Sequence, residues 1–230
     1  MKWAMAFLRK MHPSSMHGVF TENWYSDRQA KHLANLFRAV RSMRGGIVEI
    51  GCWQGKSTIA LARACYPEPV HAVDHWLGNL DEHSADESVI IARQRDVFKE
   101  FMENMRNCTE GNVVPWRMDW REFVKLWTKR VDSSIKFCHI DASHDYKSVR
   151  DNIQAILPFI VPGGILCGDD FQTSNLSRHD LDGGVERAVR ESLPGFYNHG
   201  NLWYWYRGVR AHKLLSITSR LRKTRSRCLA

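Results

Sequence analysis

Short apolar runs alternate with amphipathic segments over most of the chain. The apolar runs that predict buried strands are 47–50, 70–73, 113–118, 135–140, 165–167 and 202–206. The segments whose apolar residues recur at helical spacing are 26–40, 57–64, 93–107, 120–129, 146–159 and 185–193. Residues 77–92 are polar and without a clear period, so we expect a loop there. The alternation of strand and helix predicts an α/β fold with a mostly parallel sheet and helices on both of its faces.

The first predicted strand leads into a glycine turn, Gly51-x-x-x-Gly55, and the second strand ends at Asp74. The turn continues as Lys-Ser-Thr, but a phosphate-binding loop has four residues between its glycines and this turn has three. Glu49, two residues before the turn, would repel a phosphate but can accept hydrogen bonds from an ammonium group. Asp74 is placed to accept hydrogen bonds from ribose hydroxyls. The pattern indicates a ligand with an amino group, a ribose and no phosphate, a description that S-adenosylmethionine fits. The alternative is that Glu49 caps a helix and Asp74 belongs to a turn.

The stretches 47–62 and 70–78 resemble the first two motifs of the class I S-adenosylmethionine-dependent methyltransferases. The resemblance spans roughly residues 26–206 and implies a Rossmann-like, doubly wound sheet of seven strands. In that family the residues after the third strand flank the adenine, and a serine of the catechol O-methyltransferase branch contacts the methionine carboxylate. The residues expected to bind the cofactor are Glu49, Gly51, Trp53, Gly55, Ser57, Asp74, Met118 and Asp119.

Acidic residues follow the fourth and fifth predicted strands. Asp141 comes directly after the fourth strand, Asp169 and Asp170 come after the fifth, and His144 lies three residues beyond Asp141. If these strands are parallel neighbours, the three carboxylates meet at one edge of the sheet, where they repel one another unless a cation joins them. A histidine beside a bound cation can remove the proton of a substrate hydroxyl. Alternatively, Asp170 caps a turn, His144 is structural, or the acids bind the substrate without a metal.

The spacing Asp141-x-x-His144-x-Tyr146, followed by Gly-Asp-Asp at 168–170, is similar to a narrower group. It resembles the Mg²⁺-dependent O-methyltransferases of the macrocin and mycinamicin type and the catechol O-methyltransferases. The resemblance implies that Asp141, Asp169 and Asp170 bind Mg²⁺, and that His144 acts as the base beside Asp141. It implies a small hydroxylated acceptor, a sugar or a phenol. The pair Ala142-Ser143 departs from the Gly-Asp that relatives often have, which weakens any role for Ser143.

The basic charge is concentrated at the C-terminus. Of the 33 Lys and Arg residues, eight lie from Arg207 onward, and the remaining 25 balance the 25 Asp and Glu residues. We therefore divide the chain into an N-terminal extension (1–25), a methyltransferase domain (26–208) and a basic tail (209–230). The tail is either a solvated segment or a contact for an anionic partner or membrane surface.

Other features limit the function classes. No apolar run approaches the roughly 20 residues that span a bilayer, and the apolar patch at 3–8 is too short for a signal peptide. The six cysteines show no C-x-x-C spacing, which favours reduced thiols in a cytoplasmic protein without zinc. The basic tail motivates a second hypothesis, a metal-independent methyltransferase acting on nucleic acid or protein, but it lacks interleaved aromatic residues. A third hypothesis, a non-catalytic cofactor-binding module, leaves the acid–histidine set without a use. A homo-oligomer is compatible with all three.

Overall fold

The described chain covers residues 20–22, 24–80, 86–130, 132–171 and 184–208 of a computed structural model. Most of the predicted N-terminal extension, the loop at 172–183 and the basic tail lie outside these residues. Within them, no helix combines the length and the apolar character that crossing a membrane requires. The five cysteines of the described residues are all buried and have free thiols, as predicted.

Helices and strands alternate along the chain. In order they are α1 (Asp27–Arg38), β1 (Gly46–Ile50), α2 (Lys56–Cys65), β2 (Val70–Asp74), α3 (Glu87–Gln94), α4 (Val97–Cys108), β3 (Val113–Arg117), α5 (Trp120–Trp127), β4 (Ile135–Ile140), α6 (Tyr146–Ile156), a 3₁₀ turn (Leu157–Phe159), β5 (Ile160–Gly168), α7 (Gly184–Ser192), β6 (Tyr197–His199) and β7 (Leu202–Tyr206).

The strands form one seven-stranded sheet in the order β3-β2-β1-β4-β5-β7-β6. Strands β1 to β5 run parallel, and β7 is antiparallel to both β5 and β6. The predicted doubly wound, mostly parallel sheet is therefore confirmed. Strand order reverses between β1 and β4, so the carboxyl ends of these two strands flank the crevice where such folds bind ligands.

Both faces of the sheet are covered by helices, because the side chains of each strand alternate between two apolar clusters. On one face α1 and α2 pack on the sheet through residues such as Leu33, Phe37 and Leu61. On the other face α5, α6 and α7 contribute apolar side chains that include Phe123 and Ile153. Strand β4, at the centre, is buried at every position.

Two predicted elements differ from the structure. The helix predicted at 93–107 is two helices, because α3 begins inside the predicted loop and Asp96 caps a new helix by accepting a hydrogen bond from Lys99 N–H at 3.0 Å. Strand β5 begins before the predicted turn at 162–164 and continues through it. Its pairing with β4 shifts register there, and Gly163 adopts a left-handed φ of 81° that accommodates the irregularity. The three-residue edge strand β6 was not predicted.

Candidate active site

The carboxyl ends of the first three strands lie together at the crevice. Asp74, the last residue of β2, connects the end of β2 to the turn that follows β1. Its Oδ2 accepts hydrogen bonds from the backbone N–H groups of Cys52 (2.8 Å) and Trp53 (3.0 Å), and its Oδ1 accepts from Trp76 N–H (2.6 Å). One carboxylate at the end of β2 therefore holds the glycine turn that follows β1. The turn predicted to bind the cofactor is therefore held in place by the side chain of Asp74.

The two glycines of this turn are needed for close packing as well as for backbone conformation. Gly51 has a φ of 83°, and a Cβ there would lie 1.9 Å from the carbonyl oxygen of Asp141. Gly55 has a φ of 87° and precedes the first turn of α2. A Cβ at this position would lie 2.3 Å from the side chain of Met105. The turn is therefore pressed against β4 on one side and α4 on the other, and no L side chain fits at either glycine.

Trp53, between the two glycines, is covered by the segment that precedes α1. Its ring lies 5.3 Å from the ring of Trp24, and its indole N–H donates to Glu22 at 3.4 Å. Glu22 is held in place by Arg95, whose guanidinium contacts both carboxylate oxygens at 2.9 Å. Because Glu22, Trp24 and Tyr25 all line the crevice, its wall begins before the predicted domain boundary at residue 26.

The remaining predicted cofactor residues reach the same crevice from other elements. Ser57 lies in the first turn of α2, and Met118 and Asp119 connect β3 to α5. The N–H of Met118 donates to the carbonyl of Asp74 at 3.0 Å, which fixes this connection beside the end of β2. Asp119 caps α5 by accepting from Arg121 N–H at 2.7 Å.

Glu49 is placed differently from the other predicted cofactor residues. Its side chain is fully buried within the sheet and does not line the crevice. One carboxylate oxygen accepts from the Thr58 hydroxyl and the other lies 3.1 Å from Nδ1 of His139. His139 sits directly opposite Glu49 in the register of β1 and β4. Contact between Glu49 and an ammonium group stays a prediction, and the side chain already has two partners inside the protein.

Asp141, His144 and Asp170 form a cluster at the edge of β4 and β5. Ile140 and Gly168 pair as the last residues of these parallel strands, so the acids that follow them meet, as the sequence predicted. One ligand atom from each of the three side chains lies within 4.8 Å of the others. Within the cluster, Nε2 of His144 lies 3.0 Å from a carboxylate oxygen of Asp170. Asp170 adopts a left-handed φ of 58°, which is uncommon for a residue other than glycine.

Asp169 lines the same cavity but lies outside this group of three, and its predicted role as a metal ligand stays a prediction. Its Oδ2 accepts a hydrogen bond from the side-chain amide of Gln29 in α1. Its Oδ1 is buried and has no hydrogen-bond partner among the described residues. The site groups two of the three predicted carboxylates with the predicted base, and it turns the third toward α1.

The acids at this edge are electrostatically coupled. Burial and the negative charge of Asp169 raise the pKa of Asp141 to about 8. Burial and the charge of Asp170 raise the pKa of Asp169 to about 6. Burial acts against ionisation of Asp170 as well, but the hydrogen bond and the charge of His144 outweigh it and lower that pKa. Asp141 is therefore the acid of this edge that keeps its proton near neutral pH unless a positive charge compensates it.

The glycine turn, the connection from β3 to α5 and the acidic edge surround one cavity of about 760 Å³. Its lining includes the glycine turn and Asp74, and also Asp141, His144, Asp169 and Asp170. This volume lies within the range of about 300–1,000 Å³ that is typical of small-molecule sites. A ligand held by the glycine turn would thus share a single cavity with a second ligand held at the acidic edge.

Comparison with known proteins identifies the family. A family model described as "Methyltransferase domain" matches residues 48–171, more than half of the 230-residue chain. The chain belongs to this methyltransferase family. The match runs from β1 to the residues just after β5, and so includes the glycine turn, Asp74 and the acidic edge. The family predicted from the sequence motifs is confirmed.

Solved structures with the fold of this methyltransferase include several O-methyltransferases. NovP matches with a TM-score of 0.53 and 21% identity, over 77% of this chain and 79% of NovP. The apo structure of CalS11, a TDP-rhamnose 3′-O-methyltransferase of calicheamicin biosynthesis, matches with a TM-score of 0.54 and 16% identity, over 80% and 82% of the two chains. TomG from Streptomyces achromogenes, solved with S-adenosylmethionine, matches with a TM-score of 0.54 and 19% identity, over 80% and 82%. At these identities the likeness shows the fold. No curated protein sequence matches the methyltransferase.

Sequence reasoning missed two groups of residues at the methyltransferase site. The first is the segment before α1, whose residues Glu22, Trp24 and Tyr25 line the cavity. Its tryptophan and alternating polar residues gave no periodic signal. The second is Gln29, for which a signal existed, because Ser26-x-x-Gln29 is a capping-box pattern. That pattern predicts a helix start and contains nothing about a partner in β5.

Proposed function

We propose that this methyltransferase transfers the methyl group of S-adenosylmethionine to a hydroxyl of a small polyhydroxy acceptor, a sugar or a phenol, with the assistance of Mg²⁺. One observation carries the proposal: the glycine turn and the cluster of Asp141, His144 and Asp170 open into the same cavity. Donor and acceptor would therefore meet in one cavity, where correct alignment lowers the barrier to methyl transfer.

The cofactor half of the cavity fits a nucleoside with an amino-acid tail. The carboxylate of Asp74 is held by three backbone N–H groups, two on Oδ2 and one on Oδ1, so Oδ1 keeps a second lone pair for a ribose hydroxyl. Met118 and Asp119 lie next to it, where an adenine would follow the ribose, and Ser57 lies at the start of α2. TomG, which has the same fold, was solved with S-adenosylmethionine, and this supports S-adenosylmethionine as the cofactor.

The acidic half of the cavity fits a hard cation. Asp141 and Asp170 offer carboxylate oxygens, which Mg²⁺ prefers, and they lie close enough to share one ion. Burial and the charge of Asp169 raise the pKa of Asp141, and a bound cation would favour its ionised form. When bound, Mg²⁺ supplies Lewis acidity that favours loss of a proton from an acceptor hydroxyl. CalS11, a TDP-rhamnose 3′-O-methyltransferase with the same fold, supports a sugar hydroxyl as the acceptor.

His144 is the residue that we propose to take the acceptor proton. Its ring is oriented by Asp170 at 3.0 Å, and a carboxylate bound to an imidazole makes the ring a stronger base. Asp141 offers a carboxylate oxygen within 4.8 Å of the histidine ring, and when ionised it would stabilise a protonated imidazole. The acceptor oxygen would then attack the methyl carbon, the bond from that carbon to sulfur would break, and S-adenosylhomocysteine would leave.

The other two hypotheses have less support. The basic tail that motivates a nucleic-acid or protein acceptor lies outside the described residues. A non-catalytic binding module has no use for a histidine and two acids gathered beside a cofactor cavity. A cytoplasmic location, a homo-oligomer and contact of the tail with an anionic partner stay predictions.

Two measurements test the proposal. Calorimetry should detect binding of S-adenosylhomocysteine to the purified protein, and no binding would contradict the whole proposal. Labelled methyl transfer should then be measured against sugars, catechols and nucleic acids, with EDTA or with Mg²⁺. We expect transfer to a hydroxylated small molecule that EDTA abolishes and Mg²⁺ restores. Full activity in EDTA would contradict the proposed role of the cation, but it would still support a methyltransferase.

A further inference from the structure

The cavity is lined by an excess of carboxylates, although the chain as a whole is basic. Eight acidic side chains line it: Glu22, Asp74, Asp86, Glu87, Asp119, Asp141, Asp169 and Asp170. Among the lining residues that the structure describes, Lys56 is the one Lys or Arg, and its Nζ pairs with Asp27 at 3.0 Å. The net charge of the whole chain is +8. The described wall of the cavity is therefore opposite in charge to the chain that forms it.

The expected cofactor and cation offset only part of this charge. S-adenosylmethionine carries one net positive charge and Mg²⁺ carries two, so together they offset three of the eight carboxylates. Arg95 pairs with Glu22 and Arg121 pairs with Asp119, each at 2.9 Å. Three carboxylate charges are then left in excess within the described lining. A cleft lined by one sign of charge concentrates its field inside, so a further negative group would be repelled.

The helix starts in the cavity wall are already occupied by carboxylates. Asp86 caps α3 by accepting from Ser88 N–H at 2.9 Å, and Asp119 caps α5 by accepting from Arg121 N–H at 2.7 Å. Helix N-termini are the usual backbone sites for phosphate. The start of α2 has no side-chain cap, but it lies beside Ser57, where the carboxylate of the cofactor is expected. The described helix starts of this wall thus leave no donors for a phosphate on the acceptor.

The same wall offers contacts to uncharged groups. Trp24 and Leu80 line the cavity and are 49% and 55% exposed, so an apolar part of a ligand could cover them. Tyr25 also lines the cavity but is only 8% exposed. Its hydroxyl is buried and has no hydrogen-bond partner among the described residues, which is unfavourable until a ligand supplies one. A ligand hydroxyl can supply that partner without adding charge.

We infer that the acceptor is an uncharged polyhydroxy compound with an apolar part, and that the cavity excludes acceptors that carry phosphate, such as nucleotide sugars. The inference rests on the proposed function, because it concerns the acceptor of the same site. It separates this methyltransferase from CalS11, a TDP-rhamnose 3′-O-methyltransferase, although the two share a fold.

Quenching of tryptophan fluorescence measures the charge of the cavity without a known acceptor. The emission that is lost in Trp24→Phe reports on the cavity wall. With S-adenosylhomocysteine and Mg²⁺ bound, this emission should be quenched several-fold more by Cs⁺ than by I⁻, each relative to its quenching of free N-acetyltryptophanamide at the same ionic strength. Glu87→Lys should lower that ratio. Glu103→Lys, the same change at an exposed position of α4 outside the cavity, should not. Equal quenching by the two ions would overturn the inference.

Calorimetry with TDP tests the exclusion of phosphate itself. TDP is titrated into the complex with S-adenosylhomocysteine and Mg²⁺, and the heat of TDP with Mg²⁺ alone is subtracted. We expect no binding at millimolar TDP, and a Kd in the micromolar range would overturn the inference. Methyl transfer to TDP-rhamnose in preference to 4-nitrophenyl rhamnoside would also overturn it, but would support the proposed methyltransferase. Failure of S-adenosylhomocysteine to bind, which is measured first, would instead contradict the proposed function.

Discussion

Asp141→Asn replaces a carboxyl group of raised pKa by an amide of the same shape. An exposed Asp has a pKa of about 3.9, whereas burial and Asp169 raise that of Asp141 to about 8. The unfolded chain therefore releases this proton near pH 4 and the folded protein keeps it. Between those values folding takes up a proton, so the free energy of unfolding falls as pH rises, by at most about 1.4 kcal/mol per pH unit. From pH 6 to pH 8, the raised pKa of Asp141 should lower the free energy of unfolding by roughly 2 kcal/mol.

Urea denaturation at pH 6, 7 and 8, in the presence of a chelator, measures this cost. The wild type should lose roughly 2 kcal/mol more between pH 6 and pH 8 than Asp141→Asn does. Asp151→Asn is the control, because Lys147 and Arg150 lower the pKa of Asp151 and it stays ionised over this range in both states. Its profile should parallel that of the wild type.

The same urea denaturation, repeated with Mn²⁺ added, tests whether Asp141 binds a cation. A ligand that binds the folded state alone raises its stability in proportion to the logarithm of the ligand concentration. Mn²⁺ should therefore stabilise the wild type at pH 8 and leave Asp141→Asn unchanged. Parallel pH profiles for the wild type and Asp141→Asn would refute the reasoning, since they would show that Asp141 ionises in the folded protein as readily as in the unfolded chain.

Three further substitutions test other parts of the site. His144→Asn should lower turnover by roughly 100-fold or more, as loss of a general base does, with little change in S-adenosylhomocysteine affinity by calorimetry; unchanged turnover would require another base. Asp74→Asn places an amide NH₂ among three backbone donors, so it should cost about 1–3 kcal/mol in urea unfolding and weaken S-adenosylhomocysteine binding; a wild-type affinity would separate Asp74 from the cofactor. Gly51→Ala and Gly111→Ala impose similar strain, at φ values of 83° and 80°, but a clash exists at Gly51 alone of the two. Gly51→Ala should therefore be much less stable, and equal stability of the pair would contradict the packing of the turn on β4.

Much of the site follows from the ends of the strands. Apolar runs locate β4 and β5, and parallel pairing brings the residues after them together, so the neighbourhood of Asp141 and Asp170 was predictable from the chain alone. The direction in which each side chain points could not be predicted. Asp169 and Asp170 are adjacent in sequence, yet Gln29 holds the first and His144 contacts the second. Which neighbour each acid meets depends on contacts that no local pattern encodes.

Glu49 illustrates the same limit within a strand. A lone acid in an apolar run indicates either a ligand contact or a buried partner. Both roles give the same sequence pattern. The partner is decided by register, because β1 and β4 pair so that His139 stands opposite Glu49. The burial of that pair, with Thr58 from α2, accounts for both carboxylate oxygens. Register between strands that lie about 90 positions apart was not available from periodicity.

The division of the helix predicted at 93–107 had a local signal that the apolar period obscured. Asp96 followed by Val97 is a cap before an apolar residue, which typically begins a helix. Arg95, at the break, extends to Glu22 and connects α3 and α4 to the segment before α1. The local cap therefore indicates the break, whereas the contact of Arg95 with Glu22 could not be predicted from the local sequence.

The contact between Trp24 and Trp53 gives the protein a built-in optical signal. The two indole rings lie 5.3 Å apart at an angle of 33°, and one of them belongs to the glycine turn. Aromatic transitions at that distance couple, so the near-ultraviolet circular dichroism should carry a component from this pair. A ligand that moves the turn by a fraction of an ångström would change it. Occupancy of the cofactor half could therefore be followed in solution without a label, and Trp24→Phe would identify the component that belongs to the pair.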